Sequence, residues 1–96
     1  MQQQALIARL RRLRVLVVDD ENYARKITRT ILTAIGVKEI LEASDGIDGF
    51  EIARSELPDV IIVDWEMPVI DGPQFIRMIR SPGEFVAPDV PIVLLT

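Results

Sequence analysis

Val60-Ile61-Ile62-Val63 is an unbroken run of β-branched apolar residues that ends on an aspartate, Asp64. A strand with one wet face alternates apolar and polar residues. A run without alternation reads as a strand buried on both faces, as in a parallel sheet with helices above and below. The chain does this earlier as well, where Val15-Leu16-Val17-Val18 leads directly into Asp19-Asp20. Acids in these places stand at the carboxyl ends of their strands, the edge at which open α/β sheets bind ligands. Pro68 stops regular structure soon after Asp64.

Helical patterns separate the strands. After the first strand, Asn22 or a neighbouring acid is placed to cap a helix. In that helix Ala24, Ile27, Thr28, Ile31, Leu32 and Ile35 repeat with helical period, so the spacing predicts one apolar stripe against a core, with Arg25, Lys26 and Arg29 solvated beside it. Gly36 is placed to end the helix. Val37 to Ala43 reads as a second strand at a sheet edge. Ser44-Asp45-Gly46 then turns into a short helix with Ile47, Phe50 and Ala53 on its inner face, weakened by Gly49. Asp71-Gly72-Pro73 caps a third helix whose Phe75, Ile76 and Ile79 face inward, and Ser81-Pro82-Gly83 ends it. A loop from Glu84 to Pro91 leads to a fourth apolar strand, Ile92 to Leu95, followed by Thr96. Strands alternating with helices imply a parallel sheet with right-handed crossovers. In a doubly wound order the first and third strands are neighbours at the switch point, which gathers Asp19, Asp20 and Asp64.

One acid after a strand is ordinarily a cap or a turn residue. Three converging carboxylates repel one another unless a cation joins them or a proton is taken up. Oxygen donors of this kind suit a hard divalent cation, Mg²⁺ first. An aspartate in such a place can also act as a nucleophile toward phosphorus.

Val-Leu-Val-Val-Asp-Asp at 15–20, Asp-Trp-Glu-Met-Pro at 64–68, Asp71-Gly72, and Pro-Ile-Val-Leu-Leu-Thr at 91–96 resemble, in this order and spacing, the receiver domain of bacterial response regulators. The resemblance to the single-domain chemotaxis type is close, and it runs from Leu13 to Thr96. It implies an α/β, flavodoxin-like (CheY-like) doubly wound parallel sheet of strand order 2-1-3-4, incomplete, with four strands of the usual five and three helices. Residues 15–96 are then the receiver domain and residues 1–14 a helical N-terminal extension. The resemblance implies Mg²⁺-dependent transfer of a phosphoryl group from a phosphohistidine to Asp64, which switches a protein-interaction surface. Asp19, Asp20 and Asp64 would bind the metal with the backbone carbonyl of Glu66, and the hydroxyl of Thr96 would meet the phosphoryl group. The implied partners are a sensor histidine kinase or a histidine phosphotransfer protein, and the implied role is a signalling phosphoacceptor, not an enzyme. Beside the site, the Glu66 side chain could tune the acyl-phosphate lifetime; Trp65 reads as a partly exposed neighbour and Met67-Pro68 as a loop-shaping pair.

The family pattern continues past the threonine with a helix, a fifth strand ending in a lysine, and a last helix. This sequence stops before them, so it is expected to be truncated within the domain. The fourth strand would then carry an open apolar edge that invites homodimer pairing.

Other classes fit less well. A magnesium-dependent phosphohydrolase that works through an aspartyl phosphate carries Asp-x-Asp after the first strand, whereas here the acids are adjacent. An inert receiver-like interaction scaffold conflicts with the retention of Asp19, Asp20, Asp64 and Thr96. No Gly-rich phosphate loop follows the first strand, against a nucleotide-binding protein. A net charge of −4 argues against a nucleic-acid-binding body. No apolar run approaches the ~20 residues of a membrane helix. The absence of cysteine fits a reducing, cytoplasmic setting. In the extension, Leu6, Leu10 and Leu13 fall at helical spacing among glutamines and arginines and read as a frayed or packed helix leading into the sheet.

Overall fold

The computed structural model describes residues 2–81, 83 and 88–96. The elements run α1(Gln2–Arg12), β1(Arg14–Val18), α2(Asn22–Ile35), β2(Glu39–Ala43), α3(Gly46–Glu56), β3(Val60–Asp64), α4(Gly72–Arg80) and β4(Ile92–Leu95). The three helices expected after the first strand are α2, α3 and α4, and α1 makes a fourth. The strands form one parallel sheet in the order β2-β1-β3-β4, the flavodoxin-like arrangement. β2 begins at Glu39 instead of Val37, which is buried just before it. Part of the expected 84–91 loop, residues 84–87, lies outside the described residues.

Successive strand residues point to opposite faces; both faces of β1 are covered, whereas Val93 and Leu95 leave one face of β4 exposed. Leu16, Val18, Ile61 and Val63 join Ala53 of α3 and Phe75 and Ile79 of α4 in the larger core. Val15 and Val17 face the other way and pack with Val37, Leu32 of α2 and Leu10 near the end of α1. At the base of the sheet Arg14 ties remote segments together. Its backbone exchanges hydrogen bonds with Asp59, and its guanidinium reaches Glu39 and Glu56.

The structure revises several expectations. The apolar stripe of α2 splits into two rows. Ala24, Thr28 and Leu32 are half-buried on the sheet side, whereas Ile27, Ile31 and Ile35 stand about half exposed and continue a row begun by Tyr23. The apolar arc of α2 is broader than the strip that meets the sheet, so its outer row stands in solvent. Ile47 of α3 is also exposed. The inner face of α3 is instead built on Gly46, Gly49 and Ala53, with Phe50 half-buried. Gly49 is a packing residue: a Cβ there would lie 2.8 Å from Val18 Cγ2 and 3.2 Å from Phe75 Cε1. Met67 does more than shape a loop, because its side chain is buried in the larger core.

Candidate metal centre and acidic cleft

Sheet register sets the geometry of the site. Val18 of β1 pairs with Val63 of β3 and with Ala43 of β2, so β1 and β3 reach their carboxyl ends at the same level. Asp19 follows Val18 directly and Asp64 follows Val63. The ladder extends one step further, with the Asp19 N–H donating to the Ala43 carbonyl at 3.1 Å and Asp64 paired with Leu95 of β4. Oxygens of Asp19, Asp20 and Asp64 consequently lie within 4.8 Å of one another.

The three carboxylates differ in setting. Asp19 is only 5% exposed, and its Oδ1 accepts the Glu21 N–H at 3.0 Å. Asp20 and Asp64 are half-buried, and both line an open cleft of about 680 Å³ together with Glu21, Trp65, Glu66 and Thr96. Every ionisable group in that lining is an acid. Burial is the first cause that raises the pKa of Asp64, followed by the negative charge of Asp19; Asp20 and Glu66 add to it, and the Trp65 backbone N–H opposes it. The arrangement stores like-charge repulsion that a small cation relieves. The donor set is all oxygen and pre-gathered, which fits Mg²⁺.

The loop after Asp64 is shaped by its backbone. The Trp65 N–H donates to Leu95 O at 2.8 Å, and the Trp65 carbonyl accepts the Gly72 N–H at 2.8 Å. Between them the Ile70 N–H reaches Pro68 O at 2.8 Å across Val69, whose φ is 70°. This is a γ-turn of the strained kind, on a β-branched residue. Asp71 then caps α4 through a capping box with Gln74, and Asp45 caps α3 by accepting the Asp48 N–H. The cap expected at α2 is not made. Its N-cap residue is Glu21 without a side-chain cap bond, and the Asn22 oxygen accepts from Arg25 instead.

Arg25 was placed in solvent by the helical pattern, but its side chain is 16% exposed. Nη1 donates to the Asp19 carbonyl at 2.7 Å, Nη2 to Asn22 Oδ1 at 2.6 Å, and Nε to Glu42 Oε1 at 3.2 Å. The nearest sequence signal was the cation one helical turn past the acid pair. Its acceptor Glu42 is 17 positions away and invisible to local pattern.

Residues 15–96 match the family model of the response regulator receiver domain. The chain is 32% identical over 85 residues to a chemotaxis protein CheY homolog of Campylobacter jejuni, covering 88% of this chain and 64% of that protein. It is 42% identical over 83 residues to a probable transcriptional regulator, ycf27, of Guillardia theta, covering 86% of this chain and 30% of that protein. The chain thus spans just under two thirds of the length of the Campylobacter relative. Among solved structures, the N-terminal domain of a response regulator receiver protein from Methanoculleus marisnigri superposes with a TM-score of 0.80 at 26% identity, over 88% of this chain and 67% of that one. Chemotaxis protein CheY4 of Vibrio cholerae gives 0.75 at 32% identity, over 85% and 66%.

Proposed function

This chain belongs to the response regulator receiver family, and from that premise we propose that it is a phosphoacceptor of a two-component signalling system, with Asp64 as the acceptor. The observation that carries the reading is the convergence of Asp19, Asp20 and Asp64 at the carboxyl edge of the sheet, with Asp64 at the end of β3 and open, like Asp20, to the cleft. Asp19, Asp20, Asp64 and the backbone carbonyl of Glu66 would hold Mg²⁺. When bound, the ion neutralises carboxylate charge and the charge that develops on the transferring phosphoryl oxygens.

The residues of the chain supply the rest. A carboxylate oxygen of Asp64 attacks phosphorus in line with the phosphohistidine N–P bond. The P–O bond forms as the N–P bond breaks, and the imidazole leaves with the bond's electron pair and takes up a proton from water. The cleft leaves room for a phosphoryl group beside Asp64, with Thr96 on its wall to offer a hydroxyl donor. Glu66 lines the same cleft, and its side chain would tune the lifetime of the acyl phosphate by affecting the approach of water. The donor is a sensor histidine kinase or a histidine phosphotransfer protein, which sets the protein in the cytoplasm, and the phosphoryl group biases a two-state interaction surface. The role is signalling, not turnover of a small substrate. A phosphohydrolase would use the acid after β1 as nucleophile, and Asp19 there is buried and outside the cleft lining.

The single tryptophan adjoins Asp64 and reports on the site. Trp65 fluorescence is expected to respond saturably to Mg²⁺, and to change again on addition of acetyl phosphate or beryllofluoride. The second change should require both Mg²⁺ and Asp64. A second change that persists in Asp64→Asn would refute the assignment of the acceptor.

A further inference from the structure

We propose that Arg25 is a positioning residue for the acid pair, a three-pronged clamp that holds the β1–α2 loop in its metal-binding shape. The proposal rests on the Mg²⁺ reading of the site given above. Three guanidinium nitrogens engage three different acceptors: the Asp19 carbonyl, the Asn22 side-chain oxygen, and the Glu42 carboxylate on β2. Each acceptor belongs to a different segment. Asp19 is a carboxylate of the site, Asn22 opens α2, and Glu42 lies one residue before Ala43, whose carbonyl receives the Asp19 N–H. Backbone bonds from the Asp19 N–H to Ala43 O and from the Arg25 N–H to Glu21 O also hold the loop. Its N-cap makes no side-chain cap bond, and Asn22 is committed to the arginine. Within the loop the Glu21 N–H donates to Asp19 Oδ1. By gripping Asp19 through its backbone carbonyl, Arg25 holds the main chain from which the carboxylate projects and occupies neither carboxylate oxygen.

Arginine suits this task because its planar fork presents fixed, divergent donors; lysine carries the same charge at one point. The charge itself works the other way, since a cation near the carboxylates repels Mg²⁺. Positioning and electrostatics therefore predict opposite results when the side chain is removed. If Arg25 acts as a clamp, Arg25→Ala weakens Mg²⁺ binding. If it acts only as a charge, Arg25→Ala tightens it and Arg25→Lys restores the original affinity.

The test is Mg²⁺ titration of the full chain by Trp65 fluorescence, with Lys26→Ala as a control that removes a neighbouring cation outside the clamp. Arg25→Ala and Arg25→Lys are both expected to raise the Mg²⁺ Kd by about 10-fold, the low end of the range for residues that orient metal ligands. Lys26→Ala is expected to stay within about twofold of the wild-type Kd, since exposed charges are well screened. Amide hydrogen exchange in Mg²⁺-free protein adds a readout independent of metal. The Glu21 N–H should exchange faster in both Arg25 variants while amides of β1 and β3 keep their protection, which also shows that the variants fold. An unchanged or lower Kd in Arg25→Ala, or full rescue by Arg25→Lys, would overturn the clamp. Failure of the wild-type chain to bind Mg²⁺ would instead overturn the reading beneath it.

Discussion

A Cβ placed on Gly72 would lie 2.6 Å from the carbonyl oxygen of Asp64. The first residue of α4 is therefore pressed against the backbone of the proposed acceptor, and the Gly72 N–H to Trp65 carbonyl bond holds it there. Leu94 of β4 and the Trp65 Cα crowd the same spot, at 2.7 and 3.0 Å. Two of the obstacles are backbone atoms that no rotamer change can move aside. Gly72→Ala is expected to destabilise the protein by about 1–3 kcal/mol, the usual cost of forcing a methyl group into filled space. Urea unfolding followed by Trp65 fluorescence checks this. A midpoint equal to that of wild type would mean that the loop yields freely.

Asp64 gives a stability effect whose sign follows from its pKa. Burial and the charge of Asp19 raise that pKa above the ordinary carboxylate range, so the folded protein holds the proton more tightly than the unfolded chain does. Stability from this group is then present at low pH and declines as pH rises from the unfolded value through the raised folded value. Near neutral pH and without metal, an ionised Asp64 destabilises the fold. Asp64→Asn should therefore raise Tm in the presence of EDTA, by a few degrees if the gain approaches 1 kcal/mol in a domain of this size. The gap should shrink as pH falls into the carboxylate range. A lower Tm for Asp64→Asn at neutral pH contradicts this account.

Mg²⁺ should reverse the same repulsion. At a concentration about 100 times its Kd, a ligand that binds only the folded state adds about 2.7 kcal/mol of stability. Thermal unfolding of the wild type is expected to shift upward with Mg²⁺ and return with EDTA. Asp19→Asn should lose most of that shift, because Asp19 brings a buried carboxylate to the cluster. A full Mg²⁺ shift in this variant would remove Asp19 from the ligand set.

The two rows of α2 can be told apart by mutation. Ile31 is 57% exposed, and Ile31→Gln is expected to change stability by less than about 0.5 kcal/mol, as surface substitutions do. Leu32, its neighbour, packs against the core of Val15, Val17 and Val37. Leu32→Ala should cost about 2 kcal/mol or more. Equal costs at the two positions, measured by chemical denaturation, would show that the helix sits rotated from the orientation described.

The residues themselves determined the strands and the standing of Asp19, Asp20 and Asp64 at their carboxyl ends; the register of β1 against β3 made the three converge. An apolar run without alternation can be buried only between two layers, and an acid directly after it must stand at the strand's end. Those are consequences of covalent adjacency and of the pleat, and both are local. Tertiary structure decided which row of α2 meets the sheet, why Gly49 and Gly72 carry no side chain, and where Arg25 points. Helical periodicity defines a broad arc without saying which half of it touches a neighbour. The close approaches to Val18, Phe75 and the Asp64 carbonyl, and the reach of Arg25 to Glu42, join residues far apart in the chain. Such contacts exist only after the sheet has aligned its carboxyl ends, because their distances depend on packing and not on sequence spacing.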